Sequence, residues 1–166
     1  MTIIDILLDA LFAALAGCGF GLISNPPLRT LGRIAILAAV GHALRYCLMN
    51  LCGVDIATAS FLAAFLIGLC SFPLAKSARC PMTVLYIPAL LPMIPGIYAY
   101  KTVFALIMFL RSASHQGSAE GMEYMQQFFY NGSIAVSVVA LLTIGATLPN
   151  FIFKKRAFSL TRREKP

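Results

Sequence analysis

Runs of about twenty largely apolar residues recur along this chain, and a helix of that length is what crosses the roughly 30 Å hydrocarbon core of a bilayer. Five stretches fit the template: 3–23, 31–52, 57–75, 82–110 and 134–153. Composition agrees, since 60% of the 166 residues are hydrophobic and 11% charged, where an ordinary soluble domain has about a quarter charged. The expected fold is therefore all-α, an integral membrane bundle of about five transmembrane helices. The expected organisation is one transmembrane domain over 1–153 and a basic cytoplasmic tail over 154–166. No Lys or Arg precedes Arg29, so the first stretch lacks the basic start of a signal peptide and is expected to be retained.

The fourth stretch is the most informative. As one helix at 1.5 Å per residue it would be too long to stand upright in the bilayer, and it carries Pro88, Pro92, Pro95 and Gly96. Each proline removes a backbone donor and frees the carbonyl four residues earlier, here Val84, Pro88 and Leu91. Lipid cannot satisfy a free carbonyl, so such breaks are tolerated where they face protein or a water-filled cavity, as at the substrate sites of carriers. A helix restarting at Pro95-Gly96 would also present N–H groups to a carboxylate. Lys101, in the new half-helix, either assists or extends its stem to the interface. Tyr98 and Tyr100 contact substrate or pack.

Other ionisable residues fall inside apolar runs, where they are costly unless they face protein or water. His42 and Arg45, three apart, share a helical face. Arg45 can grip a carboxylate with two parallel hydrogen bonds and His42 can change charge near neutral pH, so the pair suits anion movement coupled to protons. The alternative is that carbonyls, or Asp5 or Asp9 on a neighbouring helix, satisfy them. Asp5 and Asp9, four apart on one face near the outer end of the first helix, either relay protons as paired carboxylates or, the preferred reading, are simply solvated. Ala13, Gly17 and Gly21 in the first helix, and Ser60, Ala64 and Gly68 in the third, form small-residue faces for close packing within the chain or against a partner.

Lys and Arg in short loops mark the cytoplasmic side. With five spans, ten of the 13 basic residues fall on one side: Arg29 and Arg33, Lys76 and Arg79, and six in the tail. That places the N-terminus outside and the C-terminus in the cytoplasm. A four-span arrangement, with the second stretch on the surface, would leave Arg29, Arg33 and Arg45 outside. The net charge of +7 reflects this topology rather than a nucleic-acid surface, because the basic residues end apolar runs without interleaved aromatics. The five cysteines show no C-x-x-C pair and read as small hydrophobes. No catalytic triad, metal spacing or phosphate-cradling loop is present, so no enzyme, metal or cofactor is expected.

Three motifs together, Asn25-Pro26-Pro27-Leu28-Arg29, Gly41-His42-x-x-Arg45 and Ile87-Pro88-x-x-x-Pro92-x-x-Pro95-Gly96-x-x-x-Tyr100, resemble the C-terminal membrane half of the threonine/serine exporter family. The first motif is a turn in which Asn25, Pro26 and Arg29 are the residues of note. In that family some members fuse two five-helix halves and others are split, with a short subunit like this chain and a larger one carrying the complementary half. The resemblance implies a bacterial inner-membrane location and export of small carboxylates. Threonine and serine are implied for fused members and a dicarboxylate such as succinate for a split pair. The expected partners are thus a larger membrane subunit, a small carboxylate and lipid, with a homo-oligomer as an alternative and no nucleic acid. The competing function is a structural subunit whose partner holds the whole substrate site.

Overall fold

The computed structural model describes residues 3–112 and 119–153. The polar loop with Gly117 and the basic tail 154–166 lie outside them. The described residues form helices joined by short connections: α1 (Ile3–Ile23), α2 (Leu31–Asn50), α3 (Ile56–Ala78), α4 (Thr83–Leu90), α5 (Gly96–Ser112) and α6 (Ala119–Ile152), with short 3₁₀ turns at Leu28–Thr30 and Leu91–Met93. Among them α1, α2, α3 and α6 are long and apolar enough to cross a membrane. The broken pair α4 and α5 makes a fifth if counted as one span. This is the expected five-helix bundle with its fourth member broken. One element differs in length: α6 starts at Ala119, well before the expected Ile134. Its first turns carry Glu120, Met122, Glu123, Met125, Gln126 and Gln127, good helix formers that outweigh Gly121, so the chain continues the helix where polarity alone suggested a loop.

The chain divides into two compact units, Met1–Met93 with Leu141–Pro166, and Ile94–Ala140. In the first, α1 packs on α2 through its small residues. Ala13, Gly17 and Gly21 are buried; a Cβ on Gly17 would lie 2.8 Å from Ala38 Cβ, and one on Gly21 would meet Ile34 and Leu31. The opposite face of α1, with Ile4, Leu8, Leu11, Leu15 and Leu22, is apolar and exposed, as suits a helix solvated by hydrocarbon. The third-helix stripe packs equally closely. A Cβ on Gly68 would lie 2.7 Å from the Ala146 carbonyl, and one on Gly145 would lie 2.6 Å from the Phe61 carbonyl. Both small-residue faces therefore serve packing within the chain.

Local chemistry sets the helix ends. Asn25 takes the left-handed conformation (φ 48°), which Asn tolerates better than most residues. Its N–H donates to the Leu22 carbonyl at 3.0 Å, and Pro26 and Pro27 then stop the ladder. Thr30 is buried and its hydroxyl donates to the Pro27 carbonyl at 2.7 Å. Asp55 caps α3, accepting from the Thr58 N–H at 2.8 Å. Hydrogen bonds from the Thr58 side chain and backbone hold its carboxyl below the usual carboxylate range. At the other end of α3, Arg79 is left-handed (φ 51°), and the Cys80 N–H reaches back to the Ala75 carbonyl, the Schellman closure. Burial pushes the Cys80 thiol up, against the pull of Arg29 and Arg33. Arg33 donates to the Ser77 hydroxyl at 3.1 Å. The turn after α1 and the end of α3 thus gather their basic residues at one end of the unit.

In the second unit, α5 meets the first half of α6 where Gly132 approaches Thr102. The Thr102 hydroxyl donates to the Tyr98 carbonyl at 2.7 Å, and Asn131, buried, donates to the Gln127 carbonyl at 2.8 Å.

One buried polar atom in α3 has no hydrogen-bond partner among the described residues, the hydroxyl of Ser60. An unsatisfied buried hydroxyl costs about 1–3 kcal/mol. Ser60→Ala is therefore expected to raise stability by about 1 kcal/mol, read as a higher thermal midpoint of the detergent-solubilised protein. A lower midpoint would show that the hydroxyl is engaged.

Candidate functional site

The break in the fourth helix lies at Ile94-Pro95. In a continuous helix the carbonyls of Pro92 and Met93 would accept from the N–H groups of Gly96 and Ile97. Instead the Gly96 N–H turns back to the Ile94 carbonyl at 2.8 Å, and α5 sets off with Ala99 N–H on the Pro95 carbonyl at 3.1 Å. The carbonyls that α2 side chains approach are thus Pro92 and Met93, beside the Val84, Pro88 and Leu91 expected from the missing proline donors. The interruption of the ladder frees them, in addition to what each ring removes.

Those two carbonyls meet the Gly41-His42-x-x-Arg45 motif. Arg45 Nη1 donates to the Met93 carbonyl at 2.8 Å. His42 Nε2 lies 3.4 Å from the Pro92 carbonyl and 3.2 Å from Arg45 Nη2. On its other side, His42 Nδ1 lies 2.7 Å from Asp9 Oδ2. Gly41 makes this possible, because a Cβ there would collide with Ile67 and with the terminal methyl of Met93. The His42 and Asp9 side chains are 15% and 27% exposed, so the chain Asp9–His42–Arg45–carbonyl is partly withdrawn from solvent. Both satisfying groups weighed from the sequence, carbonyls and Asp9, act together.

For Asp9 the sequence left two readings, a solvated carboxylate beside Asp5 and a partner to the motif on α2, and the second is met. The signal was the α1–α2 register. Gly17 faces Ala38, and Gly21, four on, faces Ile34, four back, so the helices run antiparallel with matched steps. Eight residues before Gly17 is Asp9, and eight beyond Ala38 is Tyr46, flanked by Arg45 and one turn from His42.

The other residues singled out fall in two places. Pro88 is buried in α4, and a hollow of about 370 Å³ joins it to the turn motif, with Ser24, Asn25, Pro26, Pro27, Thr83, Val84, Ile87 and Pro88 as its lining. Arg29, exposed, follows in the 3₁₀ turn. Pro95, Gly96, Tyr98 and Lys101 belong to the second unit. There Pro95 is buried, Tyr98 half-buried, and Gly96 and Lys101 exposed. Among the described residues no group of three or more His, Cys, Asp or Glu side chains is placed to hold a metal ion.

Apolar helices long enough to span, with a break in the fourth where α2 side chains approach the carbonyls of Pro92 and Met93, define a multi-pass helical membrane protein. The family described as Threonine/Serine exporter, ThrE, matches residues 9–152, which covers all three motifs. The chain belongs to the threonine/serine exporter family, a family of transporters. It is also similar to an uncharacterized protein of Haemophilus influenzae, 31% identical over 154 residues, covering 92% of this chain and 49% of that protein. The chain thus spans about half the length of the curated relative it matches. No solved structure matches it.

Proposed function

We propose that this chain is one half of an export carrier for small carboxylate-bearing metabolites, threonine and serine or a dicarboxylate such as succinate. It works with a larger membrane subunit that supplies the complementary half, in the bacterial inner membrane. The observation that carries the reading is the meeting of Arg45 and His42 with the free carbonyls of a broken helix. Arg45 spends its planar fork on a single carbonyl and a ring nitrogen, and a carboxylate offers that fork two better acceptors. Pro92, Pro95, Gly96, Tyr98 and Lys101 are assigned to the same pathway, and the hollow between Asn25 and Pro88 to its approach. A relative about twice as long supports the division into halves. Basic residues gathered at one end of the first unit support a cytoplasmic C-terminus and an external N-terminus.

One observation favours the structural-subunit alternative: Arg45 and His42 already have partners, and Met93 is buried in the unit's own core. Efflux separates the two. Loaded cells expressing this chain with its larger subunit should release threonine, serine or succinate, and either component alone should not. Pro95→Ala, which permits a continuous helix, should slow efflux about tenfold or more at unchanged membrane level. Unaided transport by this chain would sink the two-component arrangement. Wild-type efflux by Pro95→Ala would remove the broken helix from the pathway.

A further inference from the structure

His42 Nε2 stands between a group that can only donate and a group that can only accept. Arg45 Nη2 is 3.2 Å away and the Pro92 carbonyl 3.4 Å away. A ring nitrogen bears either a lone pair or a proton. With the lone pair it accepts from Arg45 and leaves Pro92 unserved; with the proton it donates to Pro92 and has nothing to offer Arg45. The two contacts exclude one another, and one proton chooses between them.

Asp9 decides the starting position. An ionised carboxylate only accepts, so at 2.7 Å it requires the proton of a neutral imidazole to be on Nδ1. That leaves Nε2 bare and facing Arg45. In this state Arg45 is latched twice, to His42 and to the Met93 carbonyl. Among the described residues no other ionisable side chain has a hydrogen bond or ion pair to the ring. The 3₁₀ turn Leu91–Met93 offers only carbonyls, α4 carries only Tyr86 as a titratable side chain, and α3 carries Cys70 and, in its last turn, Lys76. Arg29 sits in the 3₁₀ turn before α2, and Asp5 is one turn before Asp9 on α1.

We propose that His42 is a proton-operated latch on Arg45 and that Asp9 is the positioning residue that sets it. A second proton from water enters the Nε2 lone pair, the new N–H turns to the Pro92 carbonyl, and Arg45 Nη2 loses its acceptor. The guanidinium, beside an added positive charge, is then open to a carboxylate. Proton and carboxylate binding favour one another, and by linkage each carboxylate bound draws a proton onto the site. The inference rests on the reading of Arg45 as the carboxylate-binding residue.

Two measurements on the full chain, reconstituted with its partner subunit, test it. The first needs no substrate. Nitrogen NMR of labelled histidine should find the neutral His42 ring protonated on Nδ1, and Asp9→Ala should abolish that preference. A neutral ring protonated on Nε2 would overturn the proposal. The second adds threonine or succinate, adjusted to the same pH, to weakly buffered protein near pH 7. Wild type should take up about half a proton per carboxylate bound and should bind about tenfold more tightly as pH falls across the imidazole range, the two being the same coupling. His42→Gln should bind with neither effect. Binding by wild type without proton uptake, or uptake unchanged in His42→Gln, refutes the latch and leaves the carrier reading standing. Failure of wild type to bind either probe refutes both.

Discussion

Replacing Arg45 by Gln is expected to cut carboxylate efflux by about a hundredfold or more, with the protein still in the membrane. A hydrogen bond to a charged group is worth about 1.5–3 kcal/mol, and the fork can make two to one carboxylate. Gln keeps an amide that can still reach the Met93 carbonyl, so the broken helix retains a partner while the charge is gone. Arg45→Lys separates charge from shape. It keeps the cation, loses the parallel pair and should weaken binding about tenfold. Efflux from loaded cells, with the membrane level of each variant measured alongside, gives both numbers. If Arg45→Gln exports at the wild-type rate, this half does not hold the substrate and the structural-subunit alternative takes its place.

Gly145→Leu is expected to stop the protein accumulating. The Gly145 Cβ position is 2.6 Å from the Phe61 carbonyl, 3.1 Å from Ala64 Cβ and 3.2 Å from the Phe65 nitrogen. Two of those three neighbours are backbone and the third is fixed to it, so nothing can swing aside and α3 must move away from α6. Gly68, pressed on the Ala146 carbonyl from the other helix, would lose its contact in the same movement. Overpacking a well-filled core costs about 1–3 kcal/mol, and a clash with backbone belongs at the upper end. The matched control is Gly19→Leu, since Gly19 has open space at its Cβ position and should tolerate the change. Steady-state level in membranes and thermal midpoint in detergent report both. Equal behaviour of the two variants would mean that the α3–α6 crossing is looser than its glycines indicate.

The helices were legible because a bilayer imposes one length on every span, and α1, α3 and the broken fourth helix end where Pro, Gly, Asn and Asp end them. The long start of α6 was not, because Glu120, Glu123 and the glutamines suit an exposed helix and a loop alike. In the site, His42 and Arg45 were visible as charges inside an apolar run, and the prolines as interruptions at depth. What could not be read was which carbonyls they serve. The break itself is marked by Pro95-Gly96, where α5 starts, but nothing in the fourth stretch shows which α2 side chains reach the carbonyls just before it. Asp9 was one candidate beside Asp5 for another reason: its partner is 33 residues away, and only the register of two small-residue faces selects it.

The matched register of α1 and α2 makes the spacing from Asp9 to Gly17 a ruler. A helix turns about 100° per residue, so one residue inserted between them would swing Asp9 off the seam while leaving Gly17 and Gly21 against Ala38 and Ile34. The bundle would still close, with its carboxylate aimed at lipid. Descendants of such a gene can exchange side chains along this stretch far more freely than they can change its length.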